Sequence, residues 1–191
     1  AKDIAEWRDL EKWVLLTEAG ALTLPHQDSS GYSTWISVYE GELGFGWLSR
    51  PTEEELEYWQ QNPWDYGRGR WRYVVLRPGQ TVFFPSGTVH FVFRLGKGGR
   101  QTMVIGGHIL RWFCVDDWLQ VLLSQVKHPD TANEDVRKTA QKYLKVVSDL
   151  VNREEQKGNT EQLGGPERLT RFHQHREVRS LVACCLMVFT H

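Results

Sequence analysis

A histidine and an aspartate two residues apart, His26 and Asp28 in LPHQDSS, are the first residues in the chain whose types and spacing suggest a metal centre. In an extended strand, residues i and i+2 point to one face, so an imidazole and a carboxylate can reach a single ion from the same side. Two histidines and one carboxylate make a facial triad. That donor set leaves three cis positions of an octahedral ferrous ion open to a bidentate cosubstrate and dioxygen. The third ligand must come from a later strand. His90, in FFPSGTVHFVF, follows a Pro-Ser-Gly turn in an extended apolar run and is the first choice; His108, in IGGHIL, is the second. On its own, H-x-D also fits a polar surface loop, and a lone histidine among apolar residues also fits a satisfied core side chain.

Those residues need a β-rich frame, and the pattern of the chain predicts one. Strands are expected at 12–18, 21–24, 34–40, 44–49, 71–76, 81–84, 88–95 and 100–107, with GKGG at 96–99 as a hairpin. The glycines of GFGWLS suggest bends or close backbone approach. PTEEELEYWQQ at 51–61 has a proline and acidic residues in its first turn and reads as a helix. Short strands at turn-like spacing favour a mainly β jelly roll or cupin-like barrel, a double-stranded β-helix, over alternating βα units. After Cys114 the character changes. DDWLQVLLSQVK at 116–127 and the segment 133–156 have helical periodicity, the latter with Val136, Ala140, Leu144, Val147 and Leu150 or Val151 as its apolar stripe. Residues 157–166 read as a linker, and LVACCLMVF at 181–189 is ambiguous. The expected division is therefore a β domain at 1–112 and a C-terminal helical extension at 113–191.

Composition bounds the functional classes. The 191 residues suffice for one substantial core, and 25% charged with 40% hydrophobic residues is ordinary globular material. Lys+Arg of 23 against Asp+Glu of 24 makes the chain nearly neutral, so the bulk charge calls for neither nucleic acid nor an anionic membrane. All 9 tryptophans lie at or before Trp118, which marks the two parts as different kinds of structure. Three cysteines, two of them adjacent, make neither a disulfide framework nor a paired zinc site, so a reducing compartment is expected. The opening AKDIAEWRDL is too charged for a signal peptide and reads as the cut end of a longer protein. The longest apolar run falls well short of the roughly 20 residues that cross a bilayer.

Four segments in order, KWVLLTEAGALTLPHQD, GYSTWISVYEGE, LRPGQTVFFPSGTVHFVF and VIGGHIL, resemble the JmjC domains, ferrous-iron and 2-oxoglutarate oxygenases built on a double-stranded β-helix. The resemblance runs from about Lys12 to Trp112. The branch it looks most like is that of the histone lysine demethylases carrying a PHD or CXXC finger. It implies that His26, Asp28 and His90 bind Fe(II), and that Thr23 hydrogen-bonds the distal carboxylate of 2-oxoglutarate. It also implies that Trp35 lines the same site, and that His108 sits near the cosubstrate rather than serving as a fourth ligand. The expected reaction decarboxylates 2-oxoglutarate to succinate and hydroxylates an N-methyl group, which collapses to formaldehyde and free amine. No side chain beyond the metal ligands is required as a general base. The implied partner is a methylated histone or other protein peptide, on chromatin, in the nucleus.

One departure matters. Where the family strand carries Gly-Glu-Lys, with the lysine pairing the distal carboxylate, this chain has Gly41-Glu42-Leu43, and Ile36 stands where relatives carry a tyrosine. A buried dianion without a cation is costly. Arg100, ten residues after His90 in an Arg-x-Thr pattern, is the expected substitute, with Lys12 and Arg111 behind it. The same substitutions keep two alternatives open: a degenerate module serving as a chromatin or protein interaction scaffold, and a hydroxylase of protein or RNA side groups. Arg68, Arg70, Arg72 and Arg77 around Trp64, Tyr66 and Trp71 suit either a nucleic-acid or acidic-peptide contact or a solvated barrel rim. His173, His175, His191, Cys184 and Cys185 fit no tetrahedral zinc spacing and read as a structural tail.

Overall fold

The computed structural model describes residues 12–95, 101–134 and 137–174. They divide into two compact units. One holds the chain up to Asp28 together with Tyr32–Ile109, and the other holds Ser29–Gly31 together with the chain from Leu110 onward.

The first unit contains β1 (Trp13–Thr17), β2 (Leu22–His26), β3 (Ser33–Glu40), β4 (Leu43–Leu48), helix α1 (Glu53–Gln61), β5 (Trp71–Leu76), β6 (Thr81–Phe84), β7 (His90–Arg94) and β8 (Thr102–Ile109). The strands form two four-stranded antiparallel sheets, ordered β1-β8-β3-β6 and β2-β7-β4-β5. Successive strands fall in opposite sheets except β4 and β5, which form a hairpin, and this arrangement resembles a cupin or double-stranded β-helix core. Period-two alternation decides which side chains go inside. On β7, His90, Val92 and Arg94 are buried while Phe91 and Phe93 are only half-buried. On β4, Leu43 and Phe45 enter a core completed by Ile36, Val38, Leu76, Phe84, Val92 and Val104.

The β4–β7 pairing is keyed from the other face. A Cβ on Gly44 would lie 2.2 Å from the ring of Phe93, and one on Gly46 would lie 2.0 Å from the ring of Phe91. The glycines of GFGW therefore mark close approach, not a bend: the two aromatic rings lie flat over a strand with no side chains in their way. Helix α1 begins with a capping box in which Thr52 and Glu55 satisfy each other's backbone N–H groups. It buries Trp59 against Leu48 and Val89.

The second unit contains α2 (Val115–Lys127), α3 (Arg137–Gln156) and α4 (Gly165–Gln174). Its core gathers Trp118, Leu119 and Leu122 with Leu144, Val147, Val151, Leu163 and Phe172. The stripe expected on α3 thus points inward at Leu144, Val147 and Val151, with Leu150 on the exposed side. The segment expected as a linker at 157–166 is structured instead. A 3-10 turn at Thr160–Leu163 buries Leu163, and the left-handed Gly164 leads into α4. Apolar packing of one leucine overrides the polar, glycine-rich look of that stretch. Trp118 Nε1 donates to the Ser30 carbonyl at 2.7 Å. No helix among the described residues is long and apolar enough to cross a membrane. The hairpin at 96–99, Arg100, and the tail from 175 with His175, Cys184, Cys185 and His191 lie outside the described residues. His173 pairs with Glu155 at 2.7 Å.

Gly46→Ala is expected to destabilise the first unit by about 1–3 kcal/mol through overpacking against Phe91, read as a lower denaturant midpoint. Adding Phe91→Ala should recover part of that loss, because the ring no longer occupies the new methyl's space.

Candidate metal centre

The three sequence-predicted ligands come together. His26 ends β2 directly opposite His90 at the start of β7, and directly opposed residues of an antiparallel pair share a face. A register irregularity between Thr23 and His26 re-aims the end of β2. The two imidazole rings lie with centroids 4.3 Å apart. Asp28 follows in extended backbone (φ −56°, ψ 134°). Between the two early ligands, buried Gln27 donates from Nε2 to the Gly87 carbonyl at 2.8 Å, joining this segment to the turn that precedes His90.

The hydrogen bonds set the tautomers. His26 Nδ1 is 2.7 Å from the Leu24 carbonyl oxygen and His90 Nδ1 is 3.0 Å from that of Thr88. A carbonyl only accepts, so each Nδ1 carries the proton and each Nε2 presents a lone pair. These Nε2 atoms lie 3.7 and 3.6 Å from Asp28 Oδ1, and one donor atom from each residue falls within 4.8 Å of the other two. The second carboxylate oxygen, Oδ2, accepts a hydrogen bond from Thr34 Oγ1. Thr34 Oγ1 is also 2.9 Å from His108 Nδ1. A hydroxyl has one proton; giving it to Asp28, Thr34 must accept from His108 Nδ1–H. The chain His108–Thr34–Asp28 fixes the carboxylate rotamer with Oδ1 turned toward the imidazoles.

Protonation follows from the same surroundings. Burial opposes ionisation of Asp28, but the imidazoles of His90, His26 and His108 and the hydrogen bond from Thr34 together outweigh it and hold the carboxyl below the usual carboxylate range. Burial lowers His90 to about 4 against the opposing pull of Asp28. Its ring lies 4.5 Å from Phe84 and 5.6 Å from Phe45, centroid to centroid. An ionised carboxylate and a neutral imidazole are the forms a divalent cation needs, so binding at His90 and Asp28 requires no proton release near neutrality. The donor set suits Fe(II), and such a 2-His-1-carboxylate centre is consistent with 2-oxoglutarate-dependent dioxygenase chemistry.

The remaining predicted residues divide. His108 is half-buried and touches the site through Thr34, with its ring 5.4 Å from Tyr32. Thr23 is opposite Val92 on the inward side of β2 and is exposed. Trp35 is half-buried opposite Phe83 on β3, while Thr34 and Ile36 occupy the buried positions of that strand. Neighbours in a strand face opposite ways, and it is Thr34 that hydrogen-bonds the ligand Asp28. Leu43 and Ile36 lie in the apolar core. Of the arginine cluster, Arg77 pairs with Glu42 at 3.2 Å, and Arg68 lies 3.8 Å from Glu54 and over the Tyr58 ring. Arg70 and Arg72 instead join Arg50 around Trp47 and Ser49 in a cleft of about 260 Å³. Thr34 is the side chain bound to a ligand that the sequence reading missed. Its signal was its parity with Ile36 on one strand.

No family model matches the chain. Sequence relatives include lysine-specific demethylase 2B of Mus musculus, 31% identical over 123 residues, covering 59% of this chain and 9% of that protein. Lysine-specific demethylase 2A of Xenopus tropicalis is 26% identical over 125 residues, covering 61% and 10%. The JmjC domain-containing histone demethylation protein 1 of Caenorhabditis elegans is 30% identical over 110 residues, covering 53% and 10%. The chain thus spans about a tenth of the length of these relatives. It is JmjC-like in sequence and carries the facial triad. Partial overlaps with solved structures include the Drosophila melanogaster CENP-C cupin domain (12% identity, 52% of this chain and 60% of that one, TM-score 0.37) and an oxalate oxidase (25%, 56% and 47%, TM-score 0.36). At such TM-scores these overlaps decide nothing about the site.

Asp28→Ala is expected to abolish stoichiometric Fe(II) or Co(II) binding in anaerobic calorimetry. Thr34→Val, which removes the carboxylate's hydrogen-bond donor, should weaken it about 10–100-fold, and Thr34→Ser should restore it.

Proposed function

We propose that this chain is an Fe(II)- and 2-oxoglutarate-dependent oxygenase that demethylates N-methyl-lysine in histones or other proteins, in the nucleus and on chromatin. The observation that carries the reading is the buried triad with its ligand protons already arranged: His26 and His90 with Nε2 lone pairs inward, and Asp28 ionised and oriented. The demethylase names of its sequence relatives support the choice of substrate. In this reading residues 1–112 form a JmjC-type double-stranded β-helix of the branch linked to PHD and CXXC fingers, and 113–191 a helical extension.

Bound iron with 2-oxoglutarate supplies the oxidising power that hydroxylates a substrate C–H, and on an N-methyl group the product breaks down to formaldehyde and amine. The chain's residues do the rest. His26, Asp28 and His90 take one side of the ion and leave the other side for cosubstrate and oxygen. Thr34 and His108 keep Asp28 from rotating a second oxygen into that open side. Phe45 and Phe84 shield His90 from water, which keeps it neutral and keeps the oxidant away from solvent. Thr23 and His108 face the cosubstrate. No side chain need act as a general base.

One observation favours a second reading, a hydroxylase of protein or RNA side groups. Trp47 is opposite both His90 and Arg72, so the cleft of Arg50, Arg70 and Arg72 opens beside the metal centre on the same face. Among the described residues none of these three arginines is paired with a carboxylate. A basic histone tail is repelled there; a phosphate or acidic side chain is attracted.

The test is anaerobic titration with Fe(II) and 2-oxoglutarate, followed by turnover with methylated peptides. A visible metal-to-ligand absorption band, then succinate and formaldehyde in equal amounts, is expected. Succinate without formaldehyde moves the assignment to hydroxylation. A well-folded protein that binds no iron overturns both and leaves the interaction scaffold.

A further inference from the structure

The inward face of β7 carries a second polar residue besides His90. Arg94, two alternations further along, is only 5% exposed. It sits directly opposite Leu43, which is completely buried. The Arg94 Nε donates to the Thr17 hydroxyl, a neutral partner. Among the described residues no carboxylate lies within ion-pair distance of its guanidinium. Burial brings Arg94 down to about 10, which still leaves it charged at neutral pH. A buried, charged guanidinium with only a hydroxyl for company is costly. Its planar fork of N–H donors is suited to a carboxylate, which it grips through two parallel bonds.

We infer that Arg94 is the residue that anchors the far carboxylate of the 2-oxo-dicarboxylate cosubstrate; this rests on the oxygenase reading above. The register puts it where such a cation is wanted. Directly opposed residues in an antiparallel pair have Cβ atoms about 5 Å apart, so the charge absent at Leu43 on β4 is supplied one strand over, on β7. Between the His90 and Arg94 levels lies Val92, opposite Thr23, so the inward face of this sheet reads imidazoles, then a hydroxyl, then a guanidinium. At about 3.3 Å per residue, the Cα atoms of His90 and Arg94 are about 13 Å apart, an interval a metal-bound short dicarboxylate and an arginine side chain can together span. The chelating end of the cosubstrate then meets the metal, and the far end neutralises the buried arginine. The sequence-based choice for this role, Arg100, lies outside the described residues.

The test uses the whole chain loaded anaerobically with Co(II) or Fe(II), and reads binding by visible absorbance and tryptophan fluorescence. Two probes are compared: 2-oxoglutarate, and 2-oxovalerate, which has the same five carbons without the far carboxylate. The wild type should bind 2-oxoglutarate at least about tenfold more tightly. Arg94→Met should erase that preference while Co(II) and 2-oxovalerate affinities stay unchanged, and adding Leu43→Lys should restore part of it. If Arg94→Met does not fold, Arg94→Gln is read instead: equal affinity for the two acids supports the assignment, and a retained preference for the dicarboxylate overturns it. An unchanged preference in Arg94→Met, or a selective loss in Arg100→Ala alone, overturns the Arg94 assignment and leaves the oxygenase reading standing. A wild type that takes up metal but neither 2-oxo acid overturns both.

Discussion

The site rests on keeping one carboxylate ionised where water cannot reach it. Asp28 is buried, and burial alone would favour its protonated form. The surroundings reverse that preference. Two imidazoles face one oxygen, a threonine hydroxyl holds the other, and a third imidazole backs the hydroxyl. Because each member of the set is fixed by a neighbour, the rotamers of all three ligands are determined by the fold. The apolar core has a part in this: Phe45 and Phe84 are ordinary core residues that also hold His90 neutral.

How much of this was legible in the sequence depended on whether it lay along the chain or across it. The spacing of His26 and Asp28 could be read because two residues of extended backbone bring side chains to one side. His90 could be read because a turn and an apolar run set it at the start of a strand. The strand limits were legible to within one or two residues for the same reason. Thr34 was not singled out, although a strand that turns Ile36 inward turns Thr34 the same way. Residues 157–166 failed because their polar composition conceals a single buried leucine. Nothing local to Arg94 marks it. HFVFR reads as a strand ending in a surface cation, and only the pairing with Leu43 on a strand some fifty residues earlier shows that the charge is inside.

The arginines separate into groups that composition does not distinguish. Arg68 and Arg77 have acidic partners and belong to the solvated surface. Arg50, Arg70 and Arg72 converge on Trp47 without one, and Arg94 is buried. A chain that is nearly neutral overall therefore still keeps several arginines without an acidic partner close to the metal-bearing sheet. Their field draws anions toward the centre and does so over a distance that ordinary salt shortens.

Phe91 and Phe93 lie flat on Gly46 and Gly44, on the side of the sheet away from the metal. His90, Val92 and Arg94 occupy the alternate positions of that same five-residue strand. Their orientation is a single binary variable: a slip of one residue would turn every one of them outward together. Insertions and deletions within β7 itself are thus filtered by whether they are odd or even. Lineages descended from this fold should lengthen the Pro85 turn freely, provided the bare glycines still find their rings.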